Sequence, residues 1–121
     1  MSLEALWTIE FQDVHGWVNG GVVVFETNRV FGGDSNYYYV GQFEQTKYGL
    51  TADARIVHYH GEARTAFGDD AKDFTVSIQG TYLQVAKGEQ RSEDIIMGKM
   101  RRTDSPQQEL VIRLTRRADL P

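Results

Sequence analysis

Two histidines stand two residues apart in His58-Tyr59-His60. On a β-strand that spacing puts both imidazoles on one face, the way some β-barrel enzymes offer a metal two nitrogen ligands. Glu62 would add a carboxylate. A catalytic metal needs a third strong ligand held rigidly, however. His15 lies in a glycine-flanked segment that reads as a turn, and Glu62 falls where the strand ends. His58 and His60 therefore stand as metal candidates beside a plainer reading, a strand end facing solvent or the mouth of a barrel. No metal or other cofactor is expected.

The nucleophile inventory is thin. There is no cysteine, no Gly-x-Ser-x-Gly elbow, and no phosphate-cradling glycine loop ahead of a helix. Asp69 and Asp70 are adjacent carboxylates in a polar stretch, where a general acid and base seldom face a common substrate, so they read as solvated loop charge. The expectation is a non-enzymatic protein.

Tyr37-Tyr38-Tyr39 points to binding instead. Alternation along a strand sends Tyr37 and Tyr39 to one face and Tyr38 to the other. Gly41 and Phe43 continue the first face, so Tyr37, Tyr39 and Phe43 could line a lumen in which the phenolic hydroxyls anchor a small hydrophobic ligand. Ordinary filling of a small barrel by its own side chains explains the same pattern. Tyr38 could sit in a subunit interface.

The elements that must position these residues are strands. Runs of Val, Ile, Thr and aromatic residues are punctuated by 12 glycines and only 2 prolines. Trp7, Ile9 and Phe11 alternate with polar residues; Asn19-Gly20-Gly21 reads as a turn before a second strand, Val22 to Phe25. Val30-Phe31 is a short third strand, Asn36 to Glu44 a fourth, and Leu50 to His60 a fifth with Ala52, Ala54 and Ile56 on one face. Gly61 to Lys72 loses the alternation and reads as a loop. Phe74 to Ile78 and Tyr82 to Val85, with Gly80 as a bend, give two more strands, and Ile95 to Arg101 pairs with Glu109 to Arg116 as a terminal hairpin. Seven to nine short strands without a long helix predict an all-β fold, an antiparallel up-and-down β-barrel of about eight strands, in one domain over residues 1–121.

A 40% hydrophobic and 25% charged composition predicts a chain that folds, and no apolar run approaches the roughly 18 residues of a membrane span. The N-terminus lacks the basic and apolar segments of a secretory signal, and zero cysteines fit a reducing compartment, so a cytoplasmic location is expected. A net charge of -4 argues against a nucleic-acid binder. The charge is uneven, since Lys99 to Arg117 holds 6 basic and 2 acidic residues, and that hairpin reads as a solvated basic face carrying Arg101 and Arg113.

The stretch Val30-Phe31-Gly32-Gly33-Asp34-Ser35-Asn36-Tyr37-Tyr38-Tyr39-Val40-Gly41 resembles the core signature of the GrlR family, negative regulators of type III secretion genes in Gram-negative bacteria. The resemblance extends more loosely over the first half of the chain. It implies a lipocalin-like barrel, a homodimer, an apolar interior and action by binding a protein partner, namely a transcriptional activator. The family's acidic loop after the tyrosine strand is matched by Gln45, Thr46, Lys47 and Tyr48, so the partner-loop positions carry no carboxylate here. Such a change inverts the local field and alters partner choice more than fold. The leading expectation is thus a regulator acting through protein contact. The alternatives are a carrier or sensor using the lumen, and a metal-dependent enzyme using His58 and His60.

Overall fold

The computed structural model describes residues 3–84 and 91–121. Eight strands follow one another: β1 (Ala5–Asp13), β2 (Gly16–Glu26), β3 (Arg29–Gly33), β4 (Tyr37–Gln45), β5 (Gly49–His58), β6 (Asp73–Gln84), β7 (Arg91–Arg102) and β8 (Glu109–Asp119). Each pairs antiparallel with its neighbours in sequence, and β8 returns to β1, so the sheet closes on itself. The fold is the expected eight-stranded antiparallel barrel. Closure satisfies the backbone groups that an open sheet would leave at its edges.

Because the strands run up and down, the connections fall into two sets. Residues 14–15, 34–36, 59–72 and 103–108 lie at what we term the upper end, and 27–28 and 46–48 at the lower end. The long segment 59–72 is a loop, as its lost alternation predicts, and it lies at the same end as the Asp34 turn.

Several expected boundaries move. Asn19-Gly20-Gly21 is not the first turn. Val14 and His15 make that turn, with the His15 amide donating to Asp13 Oδ1 at 2.7 Å. The glycines instead form a bulge inside β2: Ile9 pairs with Gly21 and Glu10 with Asn19, leaving Gly20 as the extra residue. Gly21 at φ 115° takes a backbone conformation that other residues adopt only under strain, so a turn-like composition served a bulge. Gly80 likewise does not bend the chain, and Phe74 to Gln84 is continuous within β6; Val85 lies outside the described residues. Strand β5 stops at His58, before His60.

The inward face of the lower half is filled. Trp7 meets Phe25 edge-on at 6.1 Å, and Phe25 meets Phe43 at 4.9 Å between ring centres. Trp7 has no exposed surface, and its indole N–H donates to the Leu3 carbonyl at 2.9 Å, so Leu3 is buried against the lower end of the barrel. Burying each such side chain contributes about 1.5–3 kcal/mol. Along β5 the inward residues between Leu50 and Ile56 are the small Ala52 and Ala54. A Cβ added to Gly41 opposite them would fall 1.9 Å from the Asp53 carbonyl oxygen, so glycine there allows β4 and β5 to approach where the wall bends.

Candidate functional site

Above the aromatic plug the alanines leave space. A cavity of about 100 Å³ lies in the upper half of the barrel, bordered by Ala54, Ile56, Ile78, Met100 and Ile112 and roofed by Ala66 and Phe67 of the 59–72 loop. A cavity of about 150 Å³ holds benzene, so this space takes on the order of four to six non-hydrogen atoms.

Tyr37 and Tyr39 both border this cavity. Phe43 faces inward as well, but lower, in the aromatic plug. The hydroxyls differ from the expected free anchors. Tyr37 donates its O–H to the Ala71 carbonyl at 2.7 Å, which ties β4 to the loop. Tyr39 Oη lies 2.5 Å from the Gly20 carbonyl and 2.6 Å from Asp34 Oδ2, sharing one hydrogen between two acceptors. The bulge in β2 is what brings the Gly20 carbonyl there. Burial, reinforced by the Asp34 carboxylate, holds the Tyr39 phenol well above its ordinary value; burial, then Asp69, raises that of Tyr37. Both phenols therefore stay neutral structural donors, and the cavity they border is apolar.

The roof is fastened by a residue that a basic outer face does not predict. Arg102 points inward and is only 5% exposed. Its Nη1 donates to Asp69 Oδ2 at 2.6 Å, and its Nε and Nη2 make a bidentate pair with Asp104, each at 2.9 Å. The guanidinium lies over the Phe74 ring at 4.5 Å and near Phe67 at 5.7 Å. Asp69 also accepts the Thr65 hydroxyl at 2.6 Å. Asp69 is thus a roof fastener and not a merely solvated loop charge. Thr65 and Arg102 hold its carboxyl below the usual range, and Arg102 does the same for Asp104. Parity offered a signal for Arg102, since it falls in phase with Ile96 and Met100, two inward residues of β7.

The mouth is tied down by backbone contacts. Asn36 donates its side-chain amide to the carbonyls of His60 at 3.0 Å and Glu62 at 3.2 Å, and Tyr59 donates its hydroxyl to the Asp34 carbonyl at 2.7 Å. His58 packs edge-on against Tyr37, and its Nε2 lies 2.8 Å from the Gly61 carbonyl, so that nitrogen is the donor. His60 is exposed beside Tyr59, beyond the end of β5, where strand alternation no longer aligns it with His58. His15 sits in the first turn. Among the described residues no three His, Cys, Asp or Glu side chains come together as a metal-binding group. Arg64 borders both the apolar cavity and a polar groove outside its mouth formed by Asn19, Ser35 and Asn36.

Gln45, Thr46, Lys47 and Tyr48 form the exposed β4–β5 turn at the lower end, away from the cavity, with the Lys47 ammonium 5.5 Å from the Tyr48 ring. The outer wall carries a separate feature. Leu6, Val24, Phe31 and Val40 are register partners across β1 to β4, and Val22 and Tyr38 lie in the adjoining row. Val22, Phe31, Tyr38 and Val40 are each about two-fifths exposed. Outward Tyr38 agrees with the alternation of the tyrosine strand.

Comparison with protein-family models and with curated proteins finds no match to this chain. The fold and the cavity define its class: a closed eight-stranded antiparallel barrel with an apolar internal space.

Proposed function

We propose that this barrel is a small-ligand binding protein, a carrier or sensor whose working site is the upper lumen. The observation that carries this reading is the roofed apolar cavity beside two tyrosines whose hydroxyls are already engaged by the protein. A barrel that merely needed a core would gain from larger side chains at Ala52 and Ala54, because unfilled space forfeits dispersion contacts. Native mass spectrometry of freshly purified protein tests for a retained organic molecule. Titration with toluene provides the direct measurement: methyl resonances of Ile78, Met100 and Ile112 should shift, and Ala54→Leu should abolish the shifts while the protein remains folded. Unchanged resonances at saturating toluene would overturn the reading.

The outer wall favours a second reading, action through protein contact, which is what the resemblance to the GrlR family implies. Apolar rows spanning four strands mark contact surfaces. Its partner in this reading is a second copy of the chain. Two charge pairs beside the rows are matched within the wall, Glu26 with Arg29 and Arg55 with Asp73, which lowers the repulsion that a two-fold copy meets. Sedimentation equilibrium should find a dimer that Val40→Lys converts to monomer; a monomeric wild type at high concentration would reject it. Regulation of a transcriptional activator would add a further surface, for which the Gln45 to Tyr48 turn is the candidate.

A further inference from the structure

We infer that the lumen takes an amphiphile with a short apolar tail and an anionic head, such as a medium-chain carboxylate, whose head pairs with Arg64 at the mouth. The inference rests on the lumen reading above and adds the chemistry of the ligand's polar end. The tail follows from the lining: the cavity walls are aliphatic and aromatic carbon, and the two phenols that border it already donate to Ala71, Gly20 and Asp34. A polar group deep in the lumen would lose water without gaining a partner.

The head follows from Arg64. Among the described residues its guanidinium makes no ion pair or hydrogen bond, in contrast with Arg102, Arg55, Arg29 and Arg113, each paired with a carboxylate. It borders both the cavity and the groove outside, so it stands where a molecule with its tail inside would present its head. A guanidinium offers a planar fork that matches a carboxylate. Asp34 is the acid bordering the same two spaces, but its oxygens are committed. Oδ1 accepts the amides of Asn36 and Tyr37, each at 2.8 Å, and Oδ2 meets the Tyr39 hydroxyl. The size sets how the ligand sits: about 100 Å³ admits roughly the first four to six carbons of the tail, which leaves the rest of the chain and the head at the mouth beside Arg64.

The test is a pair of calorimetric titrations at neutral pH with octanoate and octan-1-ol, which share a tail and differ in head charge. Octanoate should bind about three- to tenfold more tightly, a modest preference because Arg64 is exposed, and the preference should shrink in high salt. Arg64→Gln should weaken octanoate until the two ligands bind equally, while Arg64→Lys should keep part of the preference. Equal binding to the wild type, or a preference that survives Arg64→Gln, overturns the anionic-head inference but leaves the lumen reading standing. Failure of both ligands to bind overturns both.

Discussion

Arg102 and Asp69, 33 residues apart in sequence, meet at 2.6 Å across the top of the barrel. The contact joins β7 to the loop that roofs the lumen, and Asp104 holds the other edge of the same guanidinium. The roof is therefore held by a fastening whose two acids lie near water while its cation is buried.

Loss of this cation should loosen the roof without destroying the barrel. Arg102→Ala removes the ion pairs and the packing on Phe74, at a cost of about 2 kcal/mol, below the usual figure for a broken buried pair because Asp69 and Asp104 can hydrate. Arg102→Met restores the packing and should recover part of that loss. Urea unfolding measures both, and an unchanged midpoint for Arg102→Ala would show that the fastening carries no stability.

Acid should weaken the same contact. The folded pKa values of Asp69 and Asp104 lie below their ordinary value of 3.8, so their contribution is complete above about that pH and is lost as pH falls through the folded values. The stability gap between wild type and Arg102→Met should be constant near neutrality and close below about pH 4. A gap that persists to pH 2 would argue that packing alone separates the two proteins.

Tyr39→Phe should cost about 1–2 kcal/mol, because it leaves the Gly20 carbonyl of the β2 bulge without this donor. The variant also has an alkaline signature. The folded phenol holds its proton above the ordinary value of 10.0, so in the wild type its contribution is present below that pH and declines as pH rises beyond it. Unfolding measured from pH 8 upward should fall less steeply for Tyr39→Phe. Parallel slopes would exclude Tyr39 as the source.

Gly41→Ala should destabilise by about 2 kcal/mol, since the new methyl collides with the Asp53 carbonyl in the neighbouring strand and backbone must move to admit it. Thermal unfolding followed by circular dichroism reads the loss. A neutral result would mean that β4 and β5 separate freely, contrary to a tightly coiled wall.

Lys47→Glu tests the lower turn differently. The side chain is exposed, so unfolding should change by less than about 0.5 kcal/mol, while a protein partner that reads this turn should bind with altered salt dependence. A marked fall in stability would assign the turn a structural role.

Much of the wall was legible because alternation is local. Trp7 and Ile9, the tyrosine strand, Ala52 with Ala54, and the terminal hairpin all occupy the faces that period two assigns them. Glycine was the ambiguous letter. Asn19-Gly20-Gly21 carries the same backbone freedom whether it turns the chain or bulges a strand, and only the pairing of β1 with β2 distinguishes the outcomes. The expected role of the Tyr37 and Tyr39 hydroxyls changed for a related reason: their acceptors, Ala71 and Gly20, are backbone carbonyls, which no side-chain pattern reveals.

By itself the sequence determined that strands form, which faces they bury, and that 59–72 departs from the sheet, since each depends on neighbours a few residues away. The closed barrel decided the rest. Arg102 reaches Asp69, Arg64 reaches the mouth, and the alanines of β5 open a space only because closure brings distant strands around a common axis, where the gaps between their side chains add up to a volume.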